Sequence, residues 1–251
     1  MDAKKRQARN IFLFLIIIAG LIFFITKNHN QWPFNKIGRD FTAYWASTRL
    51  LIDGENPYQS DKIYAVEKSV GFTDERPTIM YNPPWVLAFI LPFSTSIFPL
   101  GKFLWLGFTF LCILISTIWL WQYYNGKDGK QHWILPILFS YVPFYYTMGR
   151  GQIVPLILLG IAGFLHLERQ NKWFLAGTFV SLLMIKPQDT YLFLLAILLW
   201  SIAKKQWQLL AGAGFATLLV TAIPLFYNPS VFMQYYADVL TSSHQIGRAH
   251  V

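Results

Sequence analysis

The sequence predicts an all-α polytopic membrane protein, on three observations. Of its 251 residues 55% are hydrophobic and only 13% charged, whereas soluble domains carry about a quarter charged residues. Aromatic residues reach 18%, with 10 Trp, 13 Tyr and 22 Phe, as expected where rings crowd the two bilayer interfaces. Apolar runs of membrane-crossing size also recur along the chain; each crossing needs roughly 20 residues, somewhat fewer in short or buried helices. The net charge of +9 does not mark a nucleic-acid binder. The basic residues are scattered in short loops between apolar runs, which a positive-inside topology explains. The single cysteine, Cys112, lies inside an apolar run, so neither an intramolecular disulfide nor a thiol metal site is expected.

The N-terminus, MDAKKRQARN followed by IFLFLIIIAGLIFFIT, has a basic region and an apolar core without a small-residue cleavage site. It reads as a retained first helix with a cytoplasmic N-terminus. Apolar segments follow at 85–98, 103–123, 133–148, 153–167, 174–187, 190–203 and 208–227, after the first at 11–26. Between the first two lies the only long polar stretch, residues 27–84, with seven basic and seven of the chain's 12 acidic residues. The short loops are basic instead: KKRQAR, ERQNK, and KK at 204–205.

Those basic loops belong in the cytoplasm, so the first helix leads outward and residues 27–84 form a long extracytoplasmic loop. Strict alternation of all the segments would put ERQNK and KK outside, so one segment enters and leaves on the same face. The candidates are 85–98, broken by Pro92, and 133–148, broken by Pro136 and Pro143; the sequence does not choose between them. Either choice puts GRGQ (149–152), KPQD (186–189) and the stretch after 227 outside, on one face with Asp40.

Within the outer loop, FTAYWASTRLLI sets Phe41, Tyr44, Trp45 and Leu51 at helical spacing, with Arg49 on a different face. This predicts a juxtamembrane helix lying on the membrane surface. DGENPY stops it, Gly54 suiting a C-cap and Asn56-Pro57 a turn. YNPPW (81–85) starts the return into the bilayer. The last six residues, IGRAHV (246–251), read as a translated sequencing adapter. One integral-membrane domain is therefore expected over 1–245, incomplete at its C-terminus, with a non-native tail at 246–251.

Three charged residues stand out on the outer face. Asp40 suits a helix N-cap and also a general base at the membrane surface, and the two roles are compatible. Arg150 sits between two glycines that let a ligand approach the backbone; it suits either interfacial snorkelling or a bidentate grip on phosphate. Lys186 closes SLLMIKP and is either a snorkelling cation or a counter-charge for an anionic leaving group. No DxD pair, P-loop, HExxH or GxSxG occurs, and the five histidines show no ligand spacing. Charges inside the spans are too few for a proton relay.

The order DFTAYW…LLIDGENPY, YNPPW…LPF, GQIVPLILLG, LAGTFVSLLMIKPQ resembles glycosyltransferase family 87, from about Asp40 to about Gln188. The resemblance implies a GT-C-like helical bundle, similar to the polyprenyl-phosphate-mannose-dependent α-mannosyltransferases. It implies inverting, metal-independent transfer of a hexose, mannose by analogy, to a glycan or glycolipid acceptor hydroxyl on the outer face of the inner (plasma) membrane. No cofactor is expected beyond the donor, and no nucleic-acid partner; membrane lipid surrounds the chain. Asp40 stands where the family has its catalytic base. Arg150 and Lys186 are expected on the donor phosphate, because one or two cations can hold a monoester leaving group. Arg39, Tyr44, Arg49, Asn56, Tyr58, Tyr81, Gln152 and Gln188 are expected to bind substrate. The alternative is a non-catalytic flippase or scaffold of envelope glycan assembly.

Overall fold

A computed structural model describes residues 37–124, 126 and 130–241. The expected first helix at 11–26 and the tail at 246–251 lie outside them. Among the described residues the chain is all-helical. Two of the described helices are long and apolar enough to cross a membrane, Phe98–Tyr123 and Trp207–Tyr227.

The first helix, α1 (Arg39–Ile52), begins after Gly38 in the left-handed conformation (φ 73°). Asp40 is therefore its second residue and not its N-cap, which corrects the expectation; its carboxylate still lies in the first turn, where the helix dipole favours negative charge. The far end matches expectation. Gly54 (φ 73°) donates to Leu51 and Glu55 to Leu50, the pair of bonds that closes a helix through a left-handed glycine. Asn56 Oδ1 then accepts the Tyr58 amide, an Asx turn ahead of α2 (Ser60–Ser69).

The residues 41–48 of α1 are all buried. A helix lying on a membrane surface keeps a polar face in water, so α1 is enclosed by protein instead. It packs on α3 (Leu87–Ser94), which a short 3-10 turn (Pro84–Val86) introduces, and on the start of α4 (Phe98–Tyr123). Phe41 stacks on Phe98 and Trp105, and Trp45 meets Phe98 edge-on.

Beyond α4 come α5 (Ile134–Ser140), α6 (Val142–Arg150), α7 (Val154–Glu168), α8 (Trp173–Val180) with a 3-10 turn (Ser181–Ile185), α9 (Pro187–Ala203), α10 (Trp207–Tyr227), the short α11 (Val231–Tyr235) and a π-helical turn (Tyr236–Thr241). The bundle core is α4 against α7, α7 against α8 and α8 against α10. At the last contact a Cβ at Gly177 would strike the Leu209 carbonyl, and one at Gly212 the Phe174 carbonyl. Small residues let these backbones approach as they do between helices in membranes.

The contacts define two ends. At one, α1 lies across the start of α4 and the end of α6, Asn82 and Trp85 donate to the carbonyls of Ile185 and Met184, and Asn228 donates to the Glu55 carbonyl. At the other, Arg169 donates to the Tyr123 carbonyl across 2.6 Å, and Trp173 lies 5.8 Å from Trp200. The basic ERQNK and KK stretches share this second end. Residues 85–98 start and finish at the α1 end, where Trp85 meets Met184 and Arg49 Nη1 donates to the Ser94 carbonyl. Residues 133–148 instead run from beside Trp121 towards Gly38. Of the two segments between which the sequence left the choice open, 85–98 is the one with both ends in contact with the α1 end.

Candidate active site

The start of α1 and the end of α6 meet backbone to backbone. Gly38 donates its amide proton to the Gly149 carbonyl at 2.7 Å, and Gly151 caps α6 in the left-handed conformation (φ 68°). A Cβ on Gly151 would lie 3.1 Å from Gly38 Cα and 3.2 Å from Phe41 Cβ. Trp105 pins this junction from α4 by donating its indole N–H to the Gly151 carbonyl at 2.8 Å. Residues on either side of the junction therefore share one place.

Asp40 and Arg150 are those residues. Arg150 Nη1 stands 3.5 Å from Asp40 Oδ1, with the Asp40 side chain 19% and the Arg150 side chain 41% exposed. That distance is at the outer limit of a hydrogen bond, so the guanidinium keeps most of its five N–H donors for other acceptors. Its other neighbour is the Tyr146 ring, 5.2 Å from the guanidinium carbon to the centroid. The arrangement is a carboxylate and a fork-shaped cation, both reachable from outside, on a rigid glycine junction.

Tyr44 lies one turn beyond Asp40 and is buried against Trp105. Burial, and then the Asp40 charge, push its phenol well above the ordinary tyrosine value, with the Ile153 amide acting against them. It is a neutral, apolar wall behind the carboxylate. Gln152 and Ile153 follow the junction directly, and Ile153 shares the main buried cluster with Phe41 and Ile185. Lys186, next to Ile185, is half-buried at the start of α9 and forms no ion pair with Asp40 or any other described acid. Gln188 and Tyr81 are exposed.

Four expected substrate-binding residues have protein partners. Arg39 pairs with Asp74 at 3.0 Å and donates to Thr78 at 3.3 Å. Arg49 donates to the Ser94 carbonyl and lies over the Trp45 ring. Asn56 donates to the Asp238 carboxylate at 2.7 Å, and the Tyr58 hydroxyl to the Asn82 carbonyl at 3.1 Å. These contacts tie the stretch from Arg39 to Tyr58 to α3, the Asn82 stretch and the chain after α11. The buried Glu67 belongs to the same framework. Both its oxygens accept the Thr78 amide, at 3.1 and 3.3 Å. Burial raises its pKa to about 7, Asp74 adding to the rise while the Thr78 amide and Arg39 act against it.

Lys102, in the first turns of α4, is a further charged residue beside the junction. Its aliphatic stem runs past Gly38, where a Cβ would come within 2.7 Å of Lys102 Cε. Sequence spacing does not single it out; its signal is that a lone cation stands inside an otherwise apolar span. Among the described residues no group of three His, Cys, Asp or Glu side chains is placed to hold a metal ion.

Comparison with known proteins matches residues 80–250 to glycosyltransferase family 87. The match contains Lys102, Arg150 and Lys186 and begins after Asp40. No curated protein and no solved structure matches the chain. The matched stretch is more than half of the 251 residues, and the chain belongs to glycosyltransferase family 87.

Proposed function

We propose that the chain transfers a hexose, mannose by analogy, from a polyprenyl-phosphate donor to an acceptor hydroxyl, with Asp40 as general base and Arg150 on the donor phosphate. The observation that carries this reading is the 3.5 Å approach of Arg150 to Asp40 at the end of the bundle away from the basic loops. The positive-inside rule makes that end extracytoplasmic. A lipid-linked donor has its reactive carbon at the headgroup level, where a membrane-embedded bundle ends.

In the reaction the acceptor oxygen forms a bond to the sugar's anomeric carbon, and its proton passes to the Asp40 carboxylate. The bond from that carbon to the phosphate oxygen breaks on the opposite face, so the configuration inverts. The electron pair leaves with the polyprenyl phosphate, whose growing charge meets the Arg150 guanidinium. Lys186 stands at the edge as a second counter-charge. Tyr81, Gln152 and Gln188 offer polar contacts to sugar, while Arg39, Arg49, Asn56 and Tyr58 hold the loop in place around it. The buried wall of Tyr44 and Trp105 keeps water from behind the base.

The test is transfer of labelled mannose from polyprenyl-phosphate-mannose in washed membranes containing the full-length protein, with EDTA present. Label appearing in a lipid or glycan acceptor supports the reading. Label moving only from a nucleotide sugar, or from no polyprenyl-phosphate sugar at all, contradicts it; in the second case a non-catalytic flippase or scaffold takes its place.

A further inference from the structure

Lys102 is the fifth residue of a 26-residue apolar helix, about 6 Å along its axis at 1.5 Å per residue. Its ammonium lies 5.7 Å from the centroid of the Phe98 ring one turn earlier. No carboxylate among the described residues comes within ion-pairing distance of it. A half-buried cation without a counter-ion is costly, and in membrane segments such residues face wet cavities or ligands.

The path of the side chain is specific. Gly38 is buried and holds φ at 73°; a side chain there would occupy the space that the Lys102 stem fills. The same residue gives its amide proton to Gly149, next to Arg150, and stands two residues before Asp40. One glycine thus has the Arg150 junction and the Lys102 stem packed against it.

We propose that Lys102, together with Arg150, holds the phosphate of the lipid-linked donor. This rests on the donor class proposed above. Arg150 supplies a planar fork and Lys102 a compact charge, so the two can grip different phosphate oxygens as the bond to the sugar breaks and the electron pair passes to the phosphate.

The experiment compares wild type with Lys102→Met, which keeps the apolar stem, and Lys102→Arg, which keeps the charge. Three quantities are read in the full-length protein: the KM for donor, the KM for acceptor, and direct binding of a short-chain polyprenyl phosphate to purified protein. Losing a charged contact raises donor KM and weakens polyprenyl-phosphate binding by about tenfold or more. The expected result is that change in Lys102→Met, with acceptor KM unaltered and most of the loss recovered in Lys102→Arg. Equal donor KM and equal binding in wild type and Lys102→Met overturn the proposal. If wild type transfers no sugar yet binds polyprenyl phosphate in a Lys102-dependent way, the transferase reading falls and the phosphate site stands. If wild type binds none, the phosphate site falls too.

Discussion

Gly38 and Gly149, 111 positions apart, are joined by a 2.7 Å amide–carbonyl hydrogen bond, and this bond brings Asp40 and Arg150 together. The junction is close because Gly151 has no side chain and takes a left-handed conformation. Gly151→Ala adds a methyl group against Gly38 Cα and Phe41 and strains the backbone, at about 1–2 kcal/mol. The expected outcome is full-length, inserted protein with transfer reduced at least about tenfold, because misplacing a reacting group by about an ångström has large effects on rate. Labelled-sugar transfer normalised to protein level checks this; wild-type activity would show that the junction does not set the catalytic geometry.

Arg150 is assigned for its shape as well as its charge. Arg150→Lys keeps the charge and loses the fork, so donor KM should rise by about tenfold, a charge-assisted hydrogen bond being worth about 1.5–3 kcal/mol. Arg150→Gln should lose more, and should also lower kcat because the leaving phosphate is less stabilised. Steady-state kinetics with varied donor distinguish these. Equal donor KM in all three proteins would remove Arg150 from the phosphate.

The stability of the α2 region is expected to depend on pH through Glu67. Its pKa is raised by burial to about 7 in the folded state, from the ordinary 4.5. The folded state therefore holds the proton more tightly than the unfolded state between those values, and stability falls as pH rises across that window. The slope is at most about 1.4 kcal/mol per pH unit for this one group. Hydrogen exchange of the amides in residues 60–78 should be slower at pH 5 than at pH 8, beyond the intrinsic rate difference. Glu67→Gln should remove most of that dependence. A pH dependence that persists in Glu67→Gln would place its origin elsewhere.

Helical class and the Gly54 stop of α1 were legible because apolar run length and turn chemistry are local properties. The sharing of one end by Asp40 and Arg150 was legible through the distribution of Lys and Arg, which orders the ends of a bundle without any knowledge of contacts. What the sequence did not show depends on which surfaces touch. Asp40 suits an N-cap by residue type, yet Gly38 starts the helix, because that position holds a left-handed backbone (φ 73°) and is packed against the Lys102 stem. The apolar pattern of α1 read as a surface helix; the return of residues 85–98 to the same end covers its remaining face. Arg39, Asn56 and Tyr58 looked available for substrate by position alone, and their partners Asp74, Asp238 and Asn82 lie 24 to 182 residues away.

The most direct measurement is transfer of labelled sugar from polyprenyl-phosphate-mannose by wild type and by Asp40→Asn at equal protein level in membranes. Asn keeps the size of the side chain and removes the proton acceptor, so kcat should fall by about 100- to 10,000-fold, with donor KM changed little. Transfer by Asp40→Asn at the wild-type rate would contradict the assignment of the base and leave Asp40 as a favourable charge in the first turn of α1.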